Sequence, residues 1–384
     1  MLRITQRTRH THPRAPWELP VAYVDADELS TREFSRLWSR GQVIVVRGLL
    51  SKLRAELWQP EWWISRFGYE LVRVLDCARA AAPVAGDEWP LRDFFRLFDN
   101  DDRHSELFAD ASNNWDSRAR EINRGILKLK DWPPAEDFHR RLPEHFEAFV
   151  DALPFPEYTH RDGVFNLAAR LPATAVPPDL GPKMYCAYGS SDAKGGFGTT
   201  NLHCDMADAV NIMAYASPIS HSDRVTAAAV WDIFPPHVVD PLREYIRKRN
   251  GANGGEGDPI HDQATFLTQP QREELFRQLG GEDGICYRVH QNPGDAVFVP
   301  AGCAHQVCNY ASAVKVAMDF VSPERVDFCR KLTAEFRKLP TNHPRHADLL
   351  QLNNILWWAF AGNQPNHNSH TPKNQKQPKK KRAT

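Results

Sequence analysis

Within GTTNLHCDMADAVNIMAYA, residues 198–216, a histidine and an aspartate two residues apart stand at the mouth of an otherwise apolar run. Imidazole and carboxylate are the ligands of non-haem ferrous oxygenases, where two histidines and one acid hold one face of the metal and leave the other positions open. The pair His-x-(Asp/Glu) is weak evidence by itself. Six copies occur: His104/Glu106, His145/Glu147, His160/Asp162, His203/Asp205, His221/Asp223 and His346/Asp348. With 16 histidines and 48 acids, about two are expected by chance. In a strand, residues i and i+2 project to one face and can share a cavity; in a helix the same spacing splays them apart. His145 and His346 sit in helical-looking stretches, His104 and His221 in polar ones, and only His203/Asp205 leads into a long apolar strand.

Such a centre needs a third ligand, and NPGDAVFVPAGCAHQ (292–306) offers His305. A Pro-Gly-Asp turn starts an alternating strand there, and a second turn at Pro300–Cys303 brings the chain round to the histidine. The 102 residues between His203 and His305 leave room for barrel strands between them. On spacing alone the competing reading stays open, that both histidines are core or turn residues satisfied by hydrogen bonds. His160-Arg161-Asp162 suggests a kinase catalytic loop, but no glycine-rich phosphate loop, V-A-I-K strand or D-F-G accompanies it.

The elements that must position these residues fit a folded chain of 384 residues, 42% hydrophobic and 10% aromatic. Charges balance, 48 against 48, so no overall field draws the chain to nucleic acid or membrane. No apolar run of about 18 residues predicts a spanning helix, and MLRITQRTRHTHPRAP lacks the apolar core of a secretory signal. Seven scattered cysteines, none in a C-x-x-C pair, suggest neither a disulfide framework nor a zinc ribbon, and favour a reducing compartment. Cys303 and Cys308 read as a turn–strand coincidence.

Helices are expected over residues 27–40, with Ser30 as N-cap before Glu33, in PEWWISRFG and PLRDFFRLF, and at about 324–338 and 345–361. Residues 43–47 and 71–75 read as strands, and 130–200 as loop-rich. Short strands separated by Gly, Pro and Asn follow at 209–216, 225–234, 286–291, 295–299 and 313–321, the pattern of a β-barrel or double-sheet jelly roll. Trp58, Trp62, Trp63, Trp357 and Trp358, at helical spacing, are assigned to packing rather than to a methyl-lysine cage. The tail PKNQKQPKKKRAT is too poor in apolar residues to fold alone. Its PKKKR, 378–382, has the form of a nuclear import signal and of a patch for non-specific contact with phosphate backbones.

Several stretches together resemble the JmjC-domain histone lysine demethylases, most closely the subfamily acting on mono- and dimethylated lysine 9 of histone H3. They are KLKDWPP (128–134), PEYTHRDG (156–163), NLAARLP (166–172), PDLGPKMYCAYG (178–189), GTTNLHCDMADAVN (198–211), DPIHDQ (258–263) and PAGCAHQVCNYASAVKVAMDFVSPE (300–324). RGQVIVVRG and LWQPEWW match the start of that subfamily's catalytic region, so the resemblance spans roughly 37–339. It implies a mainly β fold with flanking helices, a double-stranded β-helix of the jelly-roll, cupin-like kind. It also implies a division into a disordered basic N-terminus (1–26), a JmjC catalytic domain with a helical and strand extension (27–340), a C-terminal helix (341–363) and a disordered basic tail (364–384).

The resemblance places the iron ligands on His203, Asp205 and His305, and the co-substrate 2-oxoglutarate beside them. Thr200 matches a position that commonly bonds its far carboxylate, and Asn211, eight residues after His203 and in phase with the ligands, is expected to contact the cofactor or an iron-bound water. The implied reaction oxidises a lysine N-methyl group, released as formaldehyde, while 2-oxoglutarate becomes succinate and CO2. A histone H3 tail or another methyl-lysine protein would be the partner, no membrane would be involved, and the location would be the nucleus. Two alternatives share the fold: a protein hydroxylase, and a degenerate scaffold binding chromatin.

Relatives commonly carry a lysine for the far carboxylate shortly after the His-x-Asp strand. SPISHS (217–222) has none, with Ser220 near the expected place; Lys315, ten residues after His305, is either the candidate replacement or a surface lysine at a strand end. A buried carboxylate without a cation would cost several kcal/mol. Asp208 has two readings, a group that orients a ligand or meets a methylammonium, and a strand-turn cap. Larger relatives add an upstream zinc-finger region and this chain has no metal-spaced cysteines, so chromatin docking is expected from the catalytic domain, from partners, or not at all.

Overall fold

From residue 183 onward the chain builds eight core strands: β1 (Lys183–Ala187), β2 (Thr200–His203), β3 (Asp208–Ala216), β4 (Ala229–Phe234), β5 (Cys286–Gln291), β6 (Ala296–Val299), β7 (Ala304–Asn309) and β8 (Ala313–Phe320). They pair antiparallel as two sheets, β5-β4-β7-β2 and β6-β3-β8-β1. Apart from β4 and β5, neighbours in one sheet joined through two helices, each strand passes the chain to the opposite sheet, as in a jelly roll. The computed structural model describes residues 14–77, 82–83, 88–96, 98–99, 126–133, 136–193, 196–218, 227–250 and 257–362. Among these, no helix is long and apolar enough to cross a membrane.

The large sheet is buried on both faces, so its strands read as near-continuous apolar runs. Ala209, Val297 and Val299 face inward and meet Trp231, Ile233, Val289 and Val307 of the small sheet. Their neighbours Val210, Ile212, Val314, Val316, Met318 and Phe320 turn outward beneath the helical layer. Ala22–Asp25 and Ile44–Arg47 continue this sheet beyond β6; Leu127–Trp132, Leu75–Asp76 and Ala82–Pro83 continue it beyond β1.

The helix Thr31–Trp38 begins as expected. Ser30 accepts from the Glu33 N–H while the Glu33 carboxylate accepts from Ser30, a complete capping box. Its Phe34 and Trp38 stack at 5.3 Å and press edge-on against Phe298 of β6, and the Trp38 indole donates to Ser322 Oγ at 3.0 Å. PEWWISRF forms the helix Pro60–Phe67, and Leu91–Arg96 packs against it. Trp58, Trp62 and Trp63 surround the His145 ring at 4.3–4.8 Å. Trp357, by contrast, is 63% exposed, so the packing assigned to all five tryptophans does not extend to it.

The stretch expected to be loop-rich is more regular than that. It holds the helix Pro143–Ala152 and the strands Leu127–Trp132 and β1. Leu71–Leu75 divides into two pairs, Leu71–Val72 and Leu75–Asp76, and the last helix starts at Leu352 instead of about 345. The two histidine–acid pairs at 104 and 221, Ser220, the first thirteen residues and the basic tail lie outside the described residues.

His145 gives the fold a measurable pH dependence. Burial among the tryptophans pushes its pKa from 6.5 down to about 4, against the Leu57 carbonyl that accepts from Nε2 at 2.9 Å. The folded state therefore excludes a proton that the unfolded chain binds below pH 6.5. Stability should be intact above pH 6.5 and fall by about 3 kcal/mol as pH drops towards 4. Denaturant melts across this range should show the loss in the wild type, and His145→Gln should lack that component.

Candidate metal centre

His203 is the last residue of β2, and its cross-strand partner is His305 on β7. Residues directly opposite on an antiparallel pair present their side chains to the same face, and the two rings sit 4.2 Å apart. Asp205 is not on the strand with His203, contrary to the spacing argument. It lies in the link 204–207 between β2 and β3, where the chain leaves one sheet for the other. The turn, rather than strand alternation, swings its carboxylate back. Oδ1 lies 3.4 Å from His203 Nε2 and Oδ2 lies 3.4 Å from His305 Nε2. The three ligand atoms fall within 4.8 Å of one another.

The opposite nitrogens fix the tautomers. His203 Nδ1 lies 2.8 Å from the Asn201 carbonyl and His305 Nδ1 3.3 Å from the Cys303 carbonyl. Carbonyl oxygens only accept, so each Nδ1 carries the proton and each Nε2 turns a lone pair inward. Burial, then the neighbouring His203, push the His305 pKa down to about 4, so this ring is neutral at physiological pH. Burial would raise the Asp205 pKa; positive charge on the two rings would hold it far below the usual carboxylate range, and with the rings neutral a bound cation takes over that role. Two imine lone pairs and a carboxylate thus converge, an arrangement that repels itself unless a cation lies between them. Ferrous iron, which accepts this donor set, fits. His305 is buried, His203 nearly so, and the Asp205 side chain keeps 29% exposure, so one side stays open.

Two glycine turns deliver His305. Gly294 (φ +84°) and Gly302 (φ +88°) flank β6 in conformations that L side chains rarely adopt. A Cβ on Gly302 would stand 2.7 Å from the Phe328 ring. Asp208 braces the same region. Its carboxylate accepts from the Ala301 N–H (2.8 Å), the Ser322 N–H (3.1 Å) and Ser322 Oγ (2.5 Å), and burial raises its pKa to about 6. Asp208 therefore meets neither a ligand nor a methylammonium; it ties two turns together. Arg345 donates to the Cys204 carbonyl beside Asp205, a contact that spacing did not suggest.

The three expected cofactor contacts lie on separate strands. Thr200 opens β2, and its Oγ1 accepts from Lys128 Nζ at 2.7 Å. Asn211 sits mid-β3, where its carbonyl accepts from Gln291 Nε2 at 3.2 Å; Gln291 Oε1 in turn accepts from the Trp231 indole at 2.8 Å. Lys315, in β8, is 5% exposed, with its ammonium 5.1 Å from the Trp231 ring centre. A surface position for that lysine is excluded. Lys128 escaped notice because KLKDWPP reads as a loop approaching two prolines; the alternation Leu127-Lys128-Leu129-Lys130 was the available signal of a strand.

Residues 200–320 match the family described as "JmjC domain, hydroxylase". The chain is a JmjC-domain protein. It is 37% identical over 362 residues to "Lysine-specific demethylase 3A" of Rattus norvegicus, covering 85% of this chain and 28% of the relative. The Homo sapiens protein of that name is 37% identical over 362 residues, 85% of this chain and 26% of its own. "Lysine-specific demethylase 3" of Drosophila melanogaster is 37% identical over 359 residues, 85% of this chain and 40% of its own. The chain thus spans between about a quarter and two fifths of the length of these relatives. The match to the JmjC family covers every core strand except β1, and includes His203, Asp205 and His305.

Calorimetric titration of Mn(II) or anaerobic Fe(II) should show one ion bound per chain, with a rise in melting temperature. His203→Ala should weaken binding on the order of 100-fold, more than loss of an outer hydrogen bond to a ligand would. Equal metal affinity in that variant would remove His203 from the centre.

Proposed function

We propose that this chain is an Fe(II)- and 2-oxoglutarate-dependent dioxygenase that demethylates lysine, with mono- and dimethylated lysine 9 of histone H3 as its substrate, in the nucleus. The observation that carries the reading is the convergence of His203, Asp205 and His305, open on one side, within a JmjC barrel. The names of the relatives support the reaction, and the PKKKR run supports the location.

His203, Asp205 and His305 would hold the iron by one face. Bound there, the iron with 2-oxoglutarate and dioxygen supplies the oxidising power for an unactivated C–H bond. The protein's part is to bind and orient. The two backbone carbonyls keep the Nε2 atoms unprotonated for the metal, and the stacked Trp231 ring, 6.0 Å from His305, limits rotation of that imidazole. Thr200, Asn211 and Lys315 contact the co-substrate. Removing a methyl group by hydroxylation needs no protein base, because the carbinolamine loses formaldehyde without one.

A dimethylated histone H3 peptide incubated with the full chain should release formaldehyde only when Fe(II), 2-oxoglutarate and dioxygen are all present. His203→Ala should reduce release by at least about 1000-fold. Mass spectrometry separates the alternatives: loss of a methylene marks a demethylase, gain of one oxygen a protein hydroxylase. An unchanged peptide with no succinate formed would leave the chain as a binding scaffold.

A further inference from the structure

A hydrogen-bonded path joins two of the metal ligands through residues outside the ligand set. It starts at His203 Nδ1, 2.8 Å from the Asn201 carbonyl. The Asn201 side chain donates from Nδ2 to the Gln263 carbonyl at 2.9 Å. The Gln263 amide oxygen faces Arg345 and accepts from its Nε at 2.7 Å and from Nη2. Nη1 of the same guanidinium donates to the Cys204 carbonyl. The next residue is Asp205, the one ligand that lies on no strand.

Both sides of this path are braced. Gln263 has φ +55°, in the left-handed region that a non-glycine residue occupies only where its surroundings impose it. The turn before it is tied by Asp258, whose Oδ1 accepts from the Ile260 and His261 N–H groups at 3.0 Å each. On the other side, the Arg345 N–H donates to His343 Nδ1 at 3.1 Å, and His343 Nε2 lies 3.4 Å from Asp262 Oδ1. The ring of Phe336, the last residue of the helix Val326–Phe336, lies 5.6 Å from the guanidinium carbon. Two segments remote in sequence thus grip one side chain and aim it at one carbonyl.

The consequence for the centre follows from peptide geometry. The Cys204 carbonyl belongs to the planar unit that ends at the Asp205 nitrogen and Cα, so fixing that oxygen fixes the plane from which the Asp205 side chain departs. Sheet pairing does this for His203 and His305, but the link 204–207 lies outside both of its flanking strands. We propose that Arg345 is a positioning residue for the metal: seated on Gln263, it clamps the Cys204 carbonyl and holds the Asp205 carboxylate in its ligating orientation. This rests on reading His203, Asp205 and His305 as the iron site, and adds the group that sets the third ligand.

Charge and position act in opposite directions here, which makes the role measurable. The guanidinium is near enough for its charge to act on both Asp205 and His305. As a bare cation it would repel a divalent metal, so its removal would tighten metal binding. As a clamp it keeps a ligand in place, so its removal weakens binding.

Calorimetric titration of Mn(II) into the full chain separates the two. Arg345→Ala should bind Mn(II) on the order of 10-fold more weakly than the wild type, the scale for losing a hydrogen-bond partner behind a ligand. Arg345→Lys keeps the charge but not the fork that reaches Cys204 and Gln263 together, and should fall between them. Gln263→Ala should also weaken binding, and combined with Arg345→Ala should cost less than the two separate losses added, because both belong to one clamp. A merely structural arginine would do the reverse: its loss would lower the melting temperature of the metal-free chain and leave Mn(II) affinity alone. Mn(II) affinity unchanged or raised in Arg345→Ala overturns the clamp and leaves the iron reading intact. Should that variant not fold, wild-type affinity in both Arg345→Lys and Gln263→Ala overturns it equally. A wild type that binds no Mn(II) overturns the iron reading and the clamp together.

Discussion

The pairing of β2 with β7 is the constraint on which the centre depends. It sets His203 opposite His305, and a slip of one residue would turn one of the two imidazoles out of the barrel. Much of the surrounding structure holds that register. β7 is braced on its other side by β4, where His305 faces Ile233 and Val307 faces Trp231. The glycine turns on either side of β6 set where β7 begins, and Asp208 fastens the second of these to the end of β8. Substitutions remote from the ligands can therefore disturb the site by moving a strand.

Inside the barrel, polarity is graded. Val297, Val299, Ile233, Val289 and Val307 make the space between the sheets apolar. In such surroundings charged groups interact strongly and unpaired ones are expensive. Among the described residues, the polar groups there include two histidines and an aspartate at the mouth, a Trp231–Gln291–Asn211 chain of hydrogen bonds, and the buried Lys128 and Lys315.

The features legible in the amino-acid order were those with local signatures. The capping box at Ser30 and Glu33 is complete within four residues, and the turn residues around β6 announce themselves by Pro and Gly. His203 and His305 were found because each adjoins an apolar run, although the geometry assumed for Asp205 was wrong: a link between sheets, not a strand, carries it. β1 and Leu127–Trp132 went unseen because their meaning is tertiary. Leu127 and Leu129 turn outward to the helical layer while Lys128 is buried, the inverse of the usual strand with one wet face, and only the barrel explains the inversion. The exposure of Trp357 was equally invisible, since nothing local distinguishes it from the buried Trp63.

The most direct measurement is anomalous diffraction at the iron edge from crystals of this chain grown anaerobically with Fe(II). A single peak bonded to Nε2 of His203, Nε2 of His305 and a carboxylate oxygen of Asp205, with the remaining positions facing the cavity, is the predicted result. A map with no peak between these atoms, or with the His305 ring rotated away from Asp205, would contradict the account.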